Sequence, residues 1–269
     1  AGGLYAYWSK RVAVDKSVSP LPPRAPVRAW EKWLTATVLA MLVLCCLLPL
    51  AAVWLKAAAA GSSWAVLLEA QTWAAAWNTI RFSAAAVAAA TVLGVLYAAA
   101  ARQMAWLRAL MFLPFMVSPV CIAFGVLLLY PQWTASLWLL TATYALLAYP
   151  FVAKDVLAAW DGLPKDYAAA ARTMGANGFQ TACYVTAPLL KPALRRGLTL
   201  ASATCIGEFA ATLFLSRPEW QTLTTLIYDY LGRAGADNYG RAMVLTAVLT
   251  ALALAAFLLV DEAEGQKAV

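Results

Sequence analysis

A chain of 269 residues in which 64% are hydrophobic and only 12% are charged is too apolar for an ordinary globular domain, so we expect lipid to be its solvent. The mean hydropathy of +0.71 agrees. The net charge of +7 fits the Lys and Arg of cytoplasmic loops better than nucleic-acid binding. The sequence contains no histidine, which disfavours zinc chemistry and Ser-His-Asp hydrolysis, and we predict no catalytic or metal-binding residue.

The first 29 residues are basic and rich in proline, and they lack the long apolar core of a signal peptide. We interpret residues 1–29 as a cytoplasmic linker. One interpretation is that an earlier membrane half precedes this linker in a longer, fused chain. Residues 30–260 are predicted to form the transmembrane domain, and residues 261–269 a cytoplasmic tail.

Six apolar runs are long enough to cross a hydrocarbon core, which takes about 20 residues. They cover residues 33–55, 79–101, 107–130, 136–153, 193–215 and 239–260. The shorter run 63–77 carries Glu69 and Gln71, so we expect it to lie at the membrane interface. The predicted fold class is therefore an all-α membrane protein with six transmembrane helices.

The basic residues are distributed unevenly between the two sides of this bundle. If the N-terminus is cytoplasmic, the outer side keeps only Lys56, Arg217, Arg233 and Arg241. Apart from Arg81, which falls inside a predicted span, the remaining Lys and Arg lie on the inner side. The positive-inside rule therefore predicts that both termini are cytoplasmic.

Three of the predicted spans are rich in small residues, notably in residues 83–91 and 242–256. Helices in lipid associate by close packing, which small side chains permit. We therefore predict tight helix contacts there, although an alanine-rich composition alone would give the same pattern.

The segment 154–192 is too polar to span the membrane and has an ordered pattern. A helix is predicted to begin after Pro164 and to end at Gly175. A second short helix is predicted over residues 179–185, ending before Pro188. We interpret the two as a helix-turn-helix on the cytoplasmic face, either a rigid projection for a soluble partner or an interfacial helix that shields the bundle.

This segment also resembles a known motif. Ala169-Ala170-Ala171, three residues, Gly175, nine residues, Val185, one residue and Ala187-Pro188 is similar to the motif of permease subunits of binding-protein-dependent ABC importers. That motif reads Glu-Ala-Ala, three residues, Gly, nine residues, Ile, one residue, Leu-Pro. Ala169 here replaces the Glu of the family, and Ala187 replaces its Leu.

A second resemblance lies in the fifth predicted span. Residues 207–212 read Gly-Glu-Phe-Ala-Ala-Thr and are similar to the Gly-Glu-Phe-Gly-Ala-Thr stretch of the ferric-iron, thiamine and sulfate branches of these permeases. The resemblance implies a MetI-like permease bundle in the bacterial cytoplasmic (inner) membrane, with ferric iron or thiamine as the expected solute.

The resemblance further implies that the loop couples the chain to ABC ATPase subunits. This role is carried onto Ala169, Ala170, Ala171, Gly175, Asn177, Val185 and Pro188. The sequence has no GxxxxGK[ST] segment, so ATP and Mg²⁺ are expected in the partner ATPase and not in this chain. A second permease lobe and a periplasmic or surface solute-binding protein are the other implied partners.

Glu208 is the acid that lies deepest in a predicted span. It is about 18 Å from Arg196 at 1.5 Å per residue, well inside the hydrocarbon core. Because an acid at that depth is costly, we expect it to line the translocation pathway or a gate. The alternative is an acid that only bonds to a neighbouring turn, or is buried and protonated.

Two other functions remain compatible with a helical membrane bundle. An ion-coupled secondary transporter is expected to have broken helices at matching positions of two halves. An intramembrane enzyme is expected to have paired polar residues within its spans, and the sequence shows no evident partner for Glu208.

Overall fold

The computed structural model describes residues 29–134 and 136–262, and every regular element in these ranges is a helix. The predicted linker 1–29, except Ala29, and most of the predicted tail lie outside the described residues. The α-helices in chain order are α1 (Ala29–Ala58), α2 (Ala70–Gln103), α3 (Ala105–Leu110), α4 (Leu113–Met116), α5 (Pro119–Leu129), α6 (Leu137–Gly162), α7 (Lys165–Thr173), α8 (Gly178–Thr181), α9 (Ala187–Ile206), α10 (Ala210–Leu215), α11 (Leu223–Gly232) and α12 (Ala236–Glu262).

Four of these helices, α1, α2, α6 and α12, are long and apolar enough to cross a membrane. A fifth span results only if α3 and α4 are joined to α5, and this pair is bent by 94°. The predicted span over residues 107–130 is thus bent, and it is not confirmed as a single crossing. The break has a local cause, because Ser118 precedes Pro119 and adopts the extended backbone (ψ 135°) that proline imposes on its predecessor.

The predicted fifth span, residues 193–215, is also interrupted. Helix α9 begins earlier, at Ala187, and ends at Ile206, and α10 begins only at Ala210. Lys191, Arg195 and Arg196 lie in the first half of α9. The described residues therefore contain four or five apolar spans, and the predicted total of six is not confirmed.

Helices α2, α6 and α9 pack closely where small residues face one another. Ala86, Ala90 and Gly94 recur every four residues on α2 and are all buried. A Cβ atom added at Gly94 would lie 2.7 Å from Cβ of Val152 on α6, and one added at Gly197 on α9 would lie 2.7 Å from its Cα. Ala86 and Ala90 of the predicted stretch 83–91 are thus buried, and the closest approaches between helices lie outside it, at Gly94 and Gly197.

The chain runs between two ends of the bundle. We call the end that carries α7 and α8 the loop end, and the end that carries α10 and α11 the opposite end. At the opposite end, the carboxylate of Glu69 accepts hydrogen bonds from Arg241 on α12 (2.7 Å) and from the Tyr230 hydroxyl on α11 (2.9 Å). The segment predicted to lie at the interface divides into a 3₁₀ helix, Gly61–Leu68, and the first turns of α2.

Candidate functional site

Helix α7 ends in a fixed turn at the loop end. Gly175 has a φ of +89°, in the left-handed region that glycine adopts without strain. Its N–H donates to the carbonyl of Arg172 (3.0 Å), and the N–H of Ala176 donates to the carbonyl of Ala171 (3.0 Å). This pair of bonds is a Schellman motif. The prediction that Gly175 ends the helix is confirmed.

Helix α8 starts from an equally well-defined cap. The side chain of Asn177 accepts a hydrogen bond from the Gln180 N–H (2.8 Å), and the Gln180 side chain accepts one from the Asn177 N–H (2.9 Å). This reciprocal pair is a capping box. Two bonded caps thus bracket the short connection between α7 and α8, and we call α7, this connection and α8 the hairpin (165–181).

The prediction that the second short helix ends before Pro188 is wrong. Helix α8 passes without interruption through a π-helical turn, Ala182–Thr186, into α9. The N–H of Ala187 bonds back five residues, to the carbonyl of Ala182. The wider turn accommodates Pro188 in the first turn of α9, where its missing N–H is tolerated.

The hairpin exposes large apolar side chains at the loop end. Met174 is 82% exposed and Phe179 is 78% exposed, and Arg172 beside them is also exposed. The three side chains form a mixed basic and apolar surface. Tyr184, which is 80% exposed on the π-helical turn, was not predicted, because a regular helix ending at 185 gives no reason to single it out.

The residues predicted to couple to an ATPase do not all face outward. Ala169 and Ala170 are exposed on α7, whereas Ala171 is buried and packs inward. Val185 is partly buried on the π-helical turn. The side chains of the exposed alanines are therefore available to a partner, while that of Ala171 holds α7 against the chain.

We expect Gly175→Ala to loosen the hairpin by about 1–2 kcal/mol, because a Cβ atom is strained at this φ. No atom lies within 4 Å of the added methyl group, so the cost is in the backbone alone. The loosening is measured as faster proteolytic cleavage and faster hydrogen exchange in residues 165–181. Gly178→Ala is the matched control, since Gly178 has no positive φ and equally open space, and equal protection in both variants would contradict the strain argument.

Glu208 lies at the break between α9 and α10 and is 8% exposed. Its Oε1 atom accepts a hydrogen bond from the buried N–H of Ala211, in the first turn of α10 (3.1 Å). The sequence showed no partner for this acid, and the partner is a backbone group. The interaction with a neighbouring turn is thus present, and the role of Glu208 in a translocation pathway stays a prediction.

The backbone at this break is fixed by two other helices. The carbonyl of Glu208 accepts hydrogen bonds from Thr224 Oγ1 on α11 (3.0 Å) and from Tyr144 Oη on α6 (3.3 Å). The Tyr144 hydroxyl also hydrogen-bonds to Thr212 on α10. The interruption of the helix is therefore held by side chains of α6, α10 and α11.

We expect Glu208→Leu to destabilise the folded chain by about 1–3 kcal/mol, because it leaves the buried N–H of Ala211 unpaired. Glu208→Gln keeps an acceptor oxygen and should lower stability far less. Thermal unfolding of the two purified variants measures the difference. Equal melting temperatures would contradict the capping role of the carboxylate.

A polar hollow of about 430 Å³ opens at the opposite end, beside this break. Thr212 belongs to both, and Gln71, Gln221 and Asp229 are further lining residues. Gln71 donates to Gln221 (2.8 Å), and Gln221 donates to Asp229 (2.5 Å). The sequence pattern draws attention only to Gln71 among these residues, as a polar group in a short apolar run.

Known proteins share both the sequence pattern and the fold. Residues 90–261, more than half of the chain, match the family model described as binding-protein-dependent transport system inner membrane component. The putative 2-aminoethylphosphonate transport system permease protein PhnV of Salmonella typhimurium is 29% identical over 203 residues, which are 72% of each chain. The sulfate transport system permease protein CysT of Escherichia coli is 32% identical over 164 residues, 55% of this chain and 58% of CysT.

A solved structure is similar over nearly the whole length. A chain in the crystal structure of a bacterial alginate ABC transporter, in complex with its alginate pentasaccharide-bound periplasmic protein, superposes with a TM-score of 0.68. The match covers 88% of this chain and 96% of that chain at 17% identity, and it shows a common fold. Together with the family match over residues 90–261, it makes this multi-pass chain a member of the inner membrane components of binding-protein-dependent transport systems, the permease subunits of ABC importers.

Proposed function

We propose that this permease forms half of a solute pathway and that its hairpin (165–181) receives the motion of an ABC ATPase. The observation that carries this proposal is a hairpin closed by a Schellman motif and a capping box, which exposes Met174 and Phe179. A rigid element with apolar side chains in the open is suited to a soluble partner. An element that only shielded the bundle would turn those side chains inward.

The helix that follows the hairpin offers a direct route for this motion. Residues 178–206 form one continuous helical run through α8, the π-helical turn and α9, about 40 Å long at 1.5 Å per residue. The run packs on α6 through Gly197 and ends at the break beside Glu208. Displacement of the hairpin would thus reach the polar hollow at the opposite end through a single stiff element.

We further propose that α9 and α10 together make a sixth crossing, with the loop end in the cytoplasm. The unequal distribution of Lys and Arg supports this orientation. Helix α1 has an apolar window with no buried residue, and it suits lipid or a second permease lobe. A solute-binding protein would then dock at the opposite end, where the polar hollow opens.

The solute is proposed from two sources. The named relatives carry 2-aminoethylphosphonate and sulfate, so small oxyanions are the first candidates. Ferric iron and thiamine, suggested by the resemblance around Glu208, are the second. In the hollow, the amide hydrogens of Gln71 suit an oxyanion, and the Asp229 carboxylate beside them accepts a hydrogen bond from Gln221.

The test begins with the chain expressed with its neighbouring genes and purified by a tag on the permease. We expect an ATPase to co-purify, and its ATP hydrolysis to rise with a loaded binding protein. Uptake of labelled phosphonate, sulfate, ferric iron and thiamine by a deletion strain identifies the solute. Purification without an ATPase, together with unchanged uptake of every labelled solute, would overturn the proposal.

Glu208→Gln then tests whether the carboxylate serves the pathway. We expect this variant to fold and to keep its ATPase while uptake falls about tenfold, since the carboxyl group at the break is replaced and an acceptor oxygen remains. Uptake equal to that of the unaltered chain would reduce Glu208 to a cap of α10.

A further inference from the structure

A second hollow lies under the hairpin, where α7, the π-helical turn and the ends of α2 and α6 meet. Its volume is about 520 Å³. One part of its wall is basic and aromatic, and the other is apolar. The residues that matter here are Arg102, Trp160, Tyr167 and Arg172 in the first part, and Leu163 and Leu189 in the second.

The positive charge in the basic part of the wall is not fully neutralised by neighbouring carboxylates. The carboxylate of Asp161, the acid that pairs with Arg102, is held through both oxygens by Arg108, at 2.7 and 3.2 Å. Arg102 lies 3.8 Å from the same carboxylate, and its guanidinium stacks 4.7 Å above the ring of Trp160. The guanidinium of Arg172 forms no hydrogen bond or ion pair with the residues in 29–134 and 136–262. Two guanidinium groups thus face the hollow with at most one shared carboxylate.

The spacing of two arginines on α2 indicates the depth at which this hollow would lie in a membrane. On α2, Arg81 and Arg102 are 21 residues apart, or about 31 Å, which matches a hydrocarbon core of roughly 30 Å. Arg102 therefore reaches the boundary at the loop end. Trp160 stacks beneath it, and an indole at this level is typical of the membrane interface.

We propose that this hollow binds the phosphate of an anionic phospholipid. Only the effect of this binding on ATPase coupling rests on the proposed function. Arg102 and Arg172 would hold the headgroup, as basic pockets on the cytoplasmic side of membrane proteins do. Free phosphate has the same charge chemistry, but the apolar wall at Leu163 and Leu189 suits the glycerol and acyl portions of a lipid. A bound lipid would fasten the hairpin to the membrane surface and make ATPase coupling depend on anionic lipid.

The experiment titrates the complete importer, in mild detergent, with phosphatidylglycerol or phosphatidylcholine and counts bound lipids by native mass spectrometry. We expect preferential binding of phosphatidylglycerol, a loss of about fivefold in affinity for each arginine removed, and about twentyfold for Arg102→Ala with Arg172→Ala. The double Lys variant should keep most of the affinity. The matched control is Arg217→Ala, because Arg217 also lies over a tryptophan, Trp220 (5.3 Å), but at the opposite end.

Three results would overturn the proposal. One is phosphatidylglycerol binding that is unchanged in the double Ala variant. If that variant keeps its lipid but loses its ATPase subunit, the hollow is assigned to ATPase docking instead. Another is an equal loss in Arg217→Ala. The third is displacement of the lipid by an equal concentration of inorganic phosphate. Because lipid binding is measured without transport, these results are distinguishable from a failure of the proposed function.

Discussion

Gly197→Leu is expected to prevent the folding of the bundle, or to lower its stability by about 3 kcal/mol. A Cβ atom at this position would lie 2.7 Å from Cα of Val152 and 3.2 Å from the carbonyl oxygen of Phe151. Both are backbone atoms of α6, so no side-chain rotation relieves the clash. Because α9 packs on α6 at this point, the two helices would have to separate, and the cost falls on the centre of the molecule.

The measurement is the yield and melting temperature of the purified chain in detergent. Gly125→Leu is the matched control, because Gly125 is also helical, on α5, and no atom lies within 4 Å of an added Cβ atom. We expect the control to melt close to the unaltered chain. If both variants were recovered with the same melting temperature, the close approach of α9 to α6 would not be a determinant of stability.

Replacing Met174 and Phe179 together by Asp is expected to abolish assembly with the ATPase while leaving the permease folded. Both side chains are more than three-quarters exposed, so their removal costs the isolated chain little. At an interface, two apolar anchors would become two carboxylates that must be desolvated, which costs several kcal/mol. ATPase co-purification should fall at least tenfold, and uptake should fall with it.

Leu68→Asp serves as the control for this double variant. Leu68 is 87% exposed, as apolar as the residues it is compared with, and lies at the opposite end in the 3₁₀ helix Gly61–Leu68. Its ATPase should co-purify in normal amount. Full ATPase assembly in the double variant, with folding confirmed by its melting temperature, would remove the hairpin from the docking surface.

Local sequence signals were sufficient for the loop end. Helix α7 begins after Pro164 and ends before Gly175, as predicted. Proline at a helix start and glycine after a helix end act through local backbone geometry, which needs no distant contact. The same local reading failed at Pro188. There the chain uses a π-helical turn, which no composition rule indicates, and the predicted end of the helix became its continuation.

The breaks within predicted spans depend on contacts that a hydropathy reading does not contain. Residues 193–215 form a single apolar run in the sequence, yet the helix is interrupted at Glu208. Its backbone carbonyl is bound by Tyr144, 64 positions earlier, and by Thr224, 16 positions later. Hydropathy averaged along the sequence depends only on the polarity of the side chains and contains no information on such distant hydrogen-bond partners. The bend at Ser118 was detectable, since the Ser-Pro pair indicates it.

The pairing of the charged residues at the opposite end could not be predicted from the sequence either. The sequence pattern places Arg241 only on the outer side of the bundle and gives no partner for it. In the structure, Arg241 bonds to Asp237 (3.1 Å) and to Glu69, which is 172 positions away in the chain. Tyr230 adds a bond to the same Glu69. Pairing across such a distance follows from the packing of α2 against α11 and of the 3₁₀ helix Gly61–Leu68 against α12, which the sequence pattern alone does not define.

The most direct test of the hairpin as the receiver of ATPase motion is site-specific photocrosslinking in the assembled importer. A photoreactive amino acid is placed at Phe179 or, for comparison, at Leu68, and crosslinked partners are identified with and without ATP. We expect Phe179 to crosslink to the ATPase with a yield that changes on ATP binding, and Leu68 never to do so. Crosslinking of the ATPase at Leu68, or its absence at Phe179 in an importer that hydrolyses ATP, would contradict the mechanism.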